Sequence, residues 1–213
     1  MDRQPDTATD APIAPPAPRR DRRRALLLIV AGALVVALLI KGFLVQVAVV
    51  PSGSMQPTLT PGDRIVVCRI CTTVGGIERG DVVVFHDPAR SPSGPLGAAW
   101  EWLVEGLGVA SSHRDIVKRV VALPGEVVEI RDATVYVDGV PLDEPYLDPD
   151  PDTRPFGPVV VPAGTLFVLG DDRLDSGDSR FAPPAGVGMV PEDDVIGEVA
   201  FRMWPPSRIG GLG

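Results

Sequence analysis

Hydrophobic positions change their spacing twice along this chain. Residues 1–18 mix Pro, Ala and Asp with no apolar period. Such a stretch buries too little surface to offset the entropy of ordering, so a disordered tail is expected, running on to residue 24. Ala25–Ile40 is uninterrupted apolar sequence, and Lys41-Gly42 separates it from a second run, Phe43–Val50. A membrane-spanning helix needs ~20 residues. Residues 25–45 supply that length, with Lys41 near one end, where its stem lies along the apolar surface and its ammonium reaches the headgroups. A cleaved leader has an apolar region of only ~7–15 residues ending in a small-residue site. Here VVPSGSM follows the run. A buried core helix would show a polar face, and this one has none. The pattern predicts one retained transmembrane helix.

From Gln46 onward the period becomes strand-like. Short β-rich runs recur at Arg64–Arg69, Asp81–His86, Ile116–Leu123, Glu126–Ile130, Thr134–Val137, Thr165–Leu169 and Val195–Met203. Turn signals separate them: Pro61-Gly62-Asp63, Arg79-Gly80-Asp81, Pro124-Gly125 and Pro162-Ala163-Gly164. Asp138-Gly139 between Thr134–Val137 and Val140 predicts a tight hairpin. The reading is a mostly-β domain over residues 46–213, interrupted by an insertion at 88–112 in which Leu96–Val109 has a short amphipathic helical pattern.

Charge adds orientation. The chain has 20 Lys and Arg against 28 Asp and Glu, a balance that excludes bulk electrostatic binding to nucleic acid. Residues 1–24 nevertheless hold six Arg, five of them at Arg19, Arg20, Arg22, Arg23 and Arg24. Basic residues directly before an anchor stay on the cytoplasmic side, so the large domain is expected outside, against the outer face of the bilayer.

Candidate chemistry narrows quickly. Cys68 and Cys71 form one C-x-x-C without a second pair or a nearby His, so no zinc site is predicted; a disulfide and plain turn packing both remain open. The acidic loop Asp171–Asp178 fails as a calcium loop, because Leu174 and Pro183 occupy ligand positions. No metal and no cofactor are expected. A Ser-His-Asp triad would have to use His86 or His113, the two histidines present. His86, at the end of a strand-like run, reads as an ordinary polar residue. A serine activated by a neutral lysine is the remaining nucleophilic solution. Lysine is scarce here: Lys41 and Lys118 are the only two. Arginine cannot give up its proton near neutrality, whereas a desolvated lysine can. Lys118 stands among Ile116, Val117, Val120 and Val121, which fits a buried general base and equally a partly exposed strand lysine.

The motifs then become recognisable. Pro51-Ser52-Gly53-Ser54-Met55-Gln56-Pro57-Thr58-Leu59 resembles the nucleophile box of bacterial type I signal peptidases, membrane-bound Ser/Lys leader peptidases. Gly62–Val67 and Arg79–Phe85 resemble the strands that follow it in that family. Lys118-Arg119-Val120-Val121-Ala122-Leu123-Pro124-Gly125-Glu126 resembles the general-base box, and Gly170–Arg180 the last one. The boxes run in family order from residue 46 to about 204.

The resemblance implies an antiparallel β domain behind one N-terminal helix in a bacterial cell membrane. It also implies a serine endopeptidase that removes signal peptides from secretory preproteins after small residues. Ser54 would be the nucleophile and Lys118 its base. Ser52 would donate to the oxyanion beside the Ser54 backbone N–H. Ser176 would hydrogen-bond Lys118, Asp178 and Arg180 would form an ion pair, and Arg119 would support the site. Ala48, Val50, Ile65, Asp115, Ile116 and Val117 fall where that family lines its substrate pockets, with P1 and P3 side chains such as Ala. The last box departs from the family's usual G-D-N-R-D-N-S: Asp172 and Asp175 stand for amides, and Leu174 for an acid. The competing readings are an anchored binding or assembly factor with a decayed site and a Ser/Lys peptidase with one dedicated substrate.

Overall fold

The computed structural model describes residues 19–43, 45–87, 115–148 and 152–212. The tail 1–18, the insertion with its expected helix at 96–109, and His113 lie outside the described residues. The chain divides after Leu38.

Helix α1 is Arg19–Phe43. It starts inside the Arg cluster rather than at Ala25, as suits a residue of good helix propensity. It stops at Phe43, and Val45 already belongs to a strand. Along α1, Leu26, Leu27, Leu28, Ile29, Val30 and Leu34 are all exposed, so this stretch presents apolar side chains with no polar face. Its described side chains run from Arg22 to Leu34. Among the described residues no helix is long and apolar enough to cross a membrane.

The rest is β-rich, as the periodicity predicts. The strands are β1 (Val45–Val49), β2 (Arg64–Cys68), β3 (Val82–His86), β4 (Asp115–Ala122), β5 (Val127–Arg131), β6 (Thr134–Val137), β7 (Val140–Pro141), β8 (Phe156–Val160), β9 (Thr165–Leu169), β10 (Val190–Pro191) and β11 (Val195–Trp204). A short helix, α2 (Arg69–Val74), follows β2. Seven strands form one sheet in the order β1-β2-β11-β3-β4-β9-β10, and four form a second, β7-β6-β5-β8. Every pairing is antiparallel.

The local chemistry explains these elements. Side chains alternate across a strand. Val82 and Val84 of β3 therefore join one core cluster, with Ala48, Val50, Met55, Ile65 and Val117. Val83 and Phe85 join another, with Val120, Leu166 and Val168. A strand buried on both faces reads as a continuous apolar run, which is why VVVF shows no polar positions. A third cluster, including Val121, Val128, Val135, Val137, Phe167 and Leu169, joins the second sheet to β4 and β9. The Asp138-Gly139 turn has φ of 51° and 77°, the left-handed pair that closes a two-residue hairpin between β6 and β7. Cys68 and Cys71 are disulfide-bonded, tying the end of β2 to the first turn of α2.

Candidate active site

Two chain segments carry the central pair. Ser54 lies on a turn that leaves β1, with Gln56 N–H donating to Gly53 O at 2.8 Å and Leu59 N–H to Met55 O at 2.8 Å. Met55 and Leu59 are fully buried and anchor that turn in the first core cluster. Lys118 is in the middle of β4, opposite Val83 of β3. Its Nζ lies 2.5 Å from Ser54 Oγ. Both residues are buried, Lys118 at 3% exposure and Ser54 at 9%. Burial pulls the Lys118 pKa from 10.5 down to about 8. Asp178, Asp171 and Asp175 oppose that shift, while Arg180 adds to it. Of the two settings open for Lys118 from sequence, the structure has the buried one.

Ser52 is exposed, and its Oγ is 3.3 Å from Ser54 Oγ. Asp178 and Arg180 pair through two bonds of 2.8 Å, from Nε to Oδ1 and from Nη2 to Oδ2. Arg119, only 1% exposed, grips Asp171 with Nε at 3.0 Å and Nη2 at 2.8 Å. Its Nη1 donates to Gly80 O at 2.9 Å, and its guanidinium stacks 3.8 Å from the Tyr146 ring centroid. Such bidentate, fully enclosed pairs fix geometry because neither partner has water to fall back on.

Ser176 departs from the expected role. Its Oγ is buried and makes no hydrogen bond, to Lys118 or to any other group. It packs against Gly170, where a Cβ would stand 2.3 Å from Ser176 Oγ and 2.3 Å from Ser54 O. Only glycine lets the backbone approach the nucleophile turn so closely. Asp172 N–H, two residues on, donates to Ser54 O at 3.1 Å.

The six expected pocket residues do not share one environment. Ala48, Val50, Ile65 and Val117 come together with Met55 in the first core cluster and are buried. Ile116 packs against the cluster of Val83 and Phe85. Asp115, the first residue of β4, is buried, with its carboxylate 3.4 Å from His86 Nδ1.

Sequence reasoning missed the ionic scaffold behind the pair. Arg173 binds Glu144 at 2.5 Å, and Arg180 binds Asp152 as well as Asp178. Arg208 reaches Asp63 at 3.1 Å. Single acids such as Glu144 and Asp63 carry no local signal of their partners, since the pairing depends on segments far apart in sequence. Among the described residues no group of three or more His, Cys, Asp or Glu side chains is placed to hold a metal ion.

A buried serine hydroxyl in contact with a desolvated amine is the constellation of a serine hydrolase that uses lysine in place of histidine. Residues 23–204 match the family described as signal peptidase, peptidase S26. The chain is 39% identical over 182 residues to the probable signal peptidase I-1 of Synechocystis sp., covering 85% of this chain and 82% of that one. It is 39% identical over 202 residues to signal peptidase I of Mycobacterium tuberculosis, covering 79% and 68%. It is 34% identical over 182 residues to signal peptidase I T of Bacillus subtilis, covering 81% of each. A crystal structure of a signal peptidase I from Enterococcus faecalis is 29% identical and covers 58% of this chain and 96% of that one, with a TM-score of 0.41. The chain belongs to the signal peptidase family, peptidase S26: it is a serine endopeptidase of the signal peptidase I group.

Proposed function

We propose that this enzyme is a membrane-anchored Ser/Lys peptidase that cuts signal peptides from translocated preproteins after an Ala-x-Ala type sequence. The observation that carries the reading is the 2.5 Å contact between Ser54 Oγ and Lys118 Nζ inside a buried setting. A neutral Lys118 accepts the Ser54 hydroxyl proton as Oγ attacks the scissile carbonyl carbon. The carbonyl oxygen takes up the negative charge, with the Ser54 backbone N–H and the Ser52 hydroxyl as its donors. Lys118, now an ammonium, returns the proton to the leaving amine as the C–N bond breaks. Water then gives a proton to Lys118 as its oxygen attacks the acyl ester, and Lys118 returns that proton to Ser54 Oγ as the ester C–O bond breaks, which releases the signal peptide acid, ionised in solution, and restores Ser54 and the neutral amine. Arg119 with Asp171, and Arg180 with Asp178, hold the walls of the site without touching the reacting atoms. Ser176 packs against Gly170, which also abuts the Ser54 carbonyl. Ala48, Val50, Ile65 and Val117, which share one core cluster, form the wall on which small P1 and P3 side chains rest.

The apolar run 25–45 supports the anchor, and the preceding arginines support a cytoplasmic N-terminus. Substrates reach such an enzyme with their own apolar segment in the bilayer, so a site soon after the anchor is well placed to meet them. Full-length enzyme in detergent micelles should cleave a fluorogenic Ala-x-Ala peptide, and Ser54→Ala should abolish that cleavage. Undiminished cleavage by Ser54→Ala would refute the dyad. Protease added to spheroplasts should digest residues beyond 46; protection of that domain would refute the orientation.

A further inference from the structure

The turn that presents Ser54 is gripped from two opposite sides, and both grips meet at one residue. On one side Thr58 Oγ1 donates to Asp171 Oδ2 at 2.5 Å. Asp171 is the buried carboxylate clasped by Arg119, the residue next to Lys118 on β4. On the other side the chain after β11 folds back so that Arg202 N–H bonds Gly210 O at 2.9 Å. From β11 itself Arg202 Nη1 donates to Thr58 O at 2.5 Å. Arg208 Nη2 donates to Pro57 O at 3.1 Å and to Thr58 O at 3.3 Å. Arg208 Nη1 is itself held by Asp63 Oδ2 at 3.1 Å and by the Thr60 hydroxyl. Thr58 is thus linked through its hydroxyl, by way of Asp171 and Arg119, to the strand of the base, and through its carbonyl to β11 and the segment after it.

We propose that Thr58 is a positioning residue for catalysis: its hydroxyl keys the Ser54 turn to the Arg119–Asp171 pair, and so sets the approach of Ser54 Oγ to Lys118 Nζ. The inference rests on the Ser54–Lys118 reading above. The geometry gives the reason. Leu59 N–H bonds Met55 O, so residues 55–59 move as one turn, and a shift at Thr58 is passed to Ser54. Proton transfer and attack need the reacting atoms within a narrow range, and a misplacement of about 1 Å costs on the order of 100-fold in rate. Asp171 keeps a partner on each oxygen without Thr58, because Arg119 bonds both of them. Loss of the hydroxyl therefore frees the turn without exposing an unpaired buried carboxylate.

Thr58→Val keeps the branched shape and removes only the hydroxyl. In the full-length enzyme in detergent micelles, with the fluorogenic Ala-x-Ala peptide, kcat should fall about 10- to 100-fold. KM should stay within about twofold, since the lost bond acts on the nucleophile and not on ground-state binding. The acid limb of the pH profile should not move, because Lys118 keeps its surroundings. Thr58→Ser should recover kcat to within about threefold of the parent. A Thr58→Val enzyme with the parent's kcat, or a Thr58→Ser enzyme as slow as Thr58→Val, overturns the proposal. If Thr58→Val is not recovered folded, Arg208→Gln, which releases the other side of the same turn, must lower kcat with KM held; an unchanged kcat there overturns it equally. Ser54→Ala in the same assay separates the two readings. Activity in Ser54→Ala brings down the dyad and this proposal together, whereas a dead Ser54→Ala beside a normal Thr58→Val removes only the role of Thr58.

Discussion

Lys118 should make the enzyme both pH-dependent and less stable than its fold allows. Burial lowers its pKa from 10.5 to about 8. At pH 7 about one molecule in ten then holds the neutral amine, so kcat/KM should rise roughly tenfold between pH 7 and pH 9.5 and then level. The same shift is a statement about stability. The unfolded chain keeps the Lys118 proton up to 10.5 and the folded chain only up to about 8, so between these values the unfolded state binds more protons. Raising the pH through that window therefore favours the folded state. Below about pH 8 both states are protonated and the folded state bears the full cost of a buried ammonium. Each pKa unit corresponds to about 1.4 kcal/mol, which sets that cost at about 3 kcal/mol. Lys118→Met, similar in size and uncharged, should be inactive and yet melt higher than the parent at pH 7. Its advantage should shrink as the pH is raised from 8 to 10.5. Kinetics with the fluorogenic peptide and thermal melts of parent and variant across pH 6.5–10 give both readouts. A parent whose kcat/KM is flat over that range, with a Lys118→Met variant no more stable at pH 7 than at pH 10, would refute the reasoning.

Three further outcomes are expected. Lys118→Arg should be as inactive as Lys118→Ala in the peptide assay, because a guanidinium cannot accept the Ser54 proton near neutrality; substantial turnover would remove Lys118 as the base. Ser52→Ala should lower kcat by ~10²–10³ with KM almost unchanged, as expected for loss of one oxyanion donor. Near-normal kcat would mean that Ser52 is only a turn residue. Cys68→Ser with Cys71→Ser closes no loop and should cost at most about 2 kcal/mol in a denaturant titration, since the bridge spans only three residues along the chain, and kcat should not change.

Much of this fold is legible in the sequence, for identifiable reasons. Thr134–Val137 and Thr165–Leu169 are strands with the boundaries their β-branched runs predict. The central strands β2, β3, β4, β5 and β11 are each within a residue or so of expectation, since Gly, Pro and Asp punctuate them. Several elements escape such reading, the short α2 and β10 among them. β1 lies within the second apolar run, and its Val45 reads as the end of the helix. β8 contains Gly157 and Pro158, which suggest a loop; the strand survives because it lies at the edge of its sheet, paired with β5 alone. In the site, the scarcity of lysine singles out Lys118, and the serine-rich turn Pro51–Leu59 singles out Ser54. The pairing of Asp171 with Arg119 and Thr58 is invisible locally, because it joins residues 52 and 113 positions apart. Ser176 shows the limit of motif reasoning: it has the sequence position of a partner for Lys118, but its hydroxyl packs against Gly170.

The most direct test of the central claim is the cut itself. Full-length enzyme in lipid vesicles would be incubated with an intact secretory preprotein, and the products measured by mass spectrometry. The account predicts a single cleavage after the Ala at the end of an Ala-x-Ala sequence, abolished in both Ser54→Ala and Lys118→Met. An uncut preprotein, a cut elsewhere, or a cut that persists in either variant would contradict it.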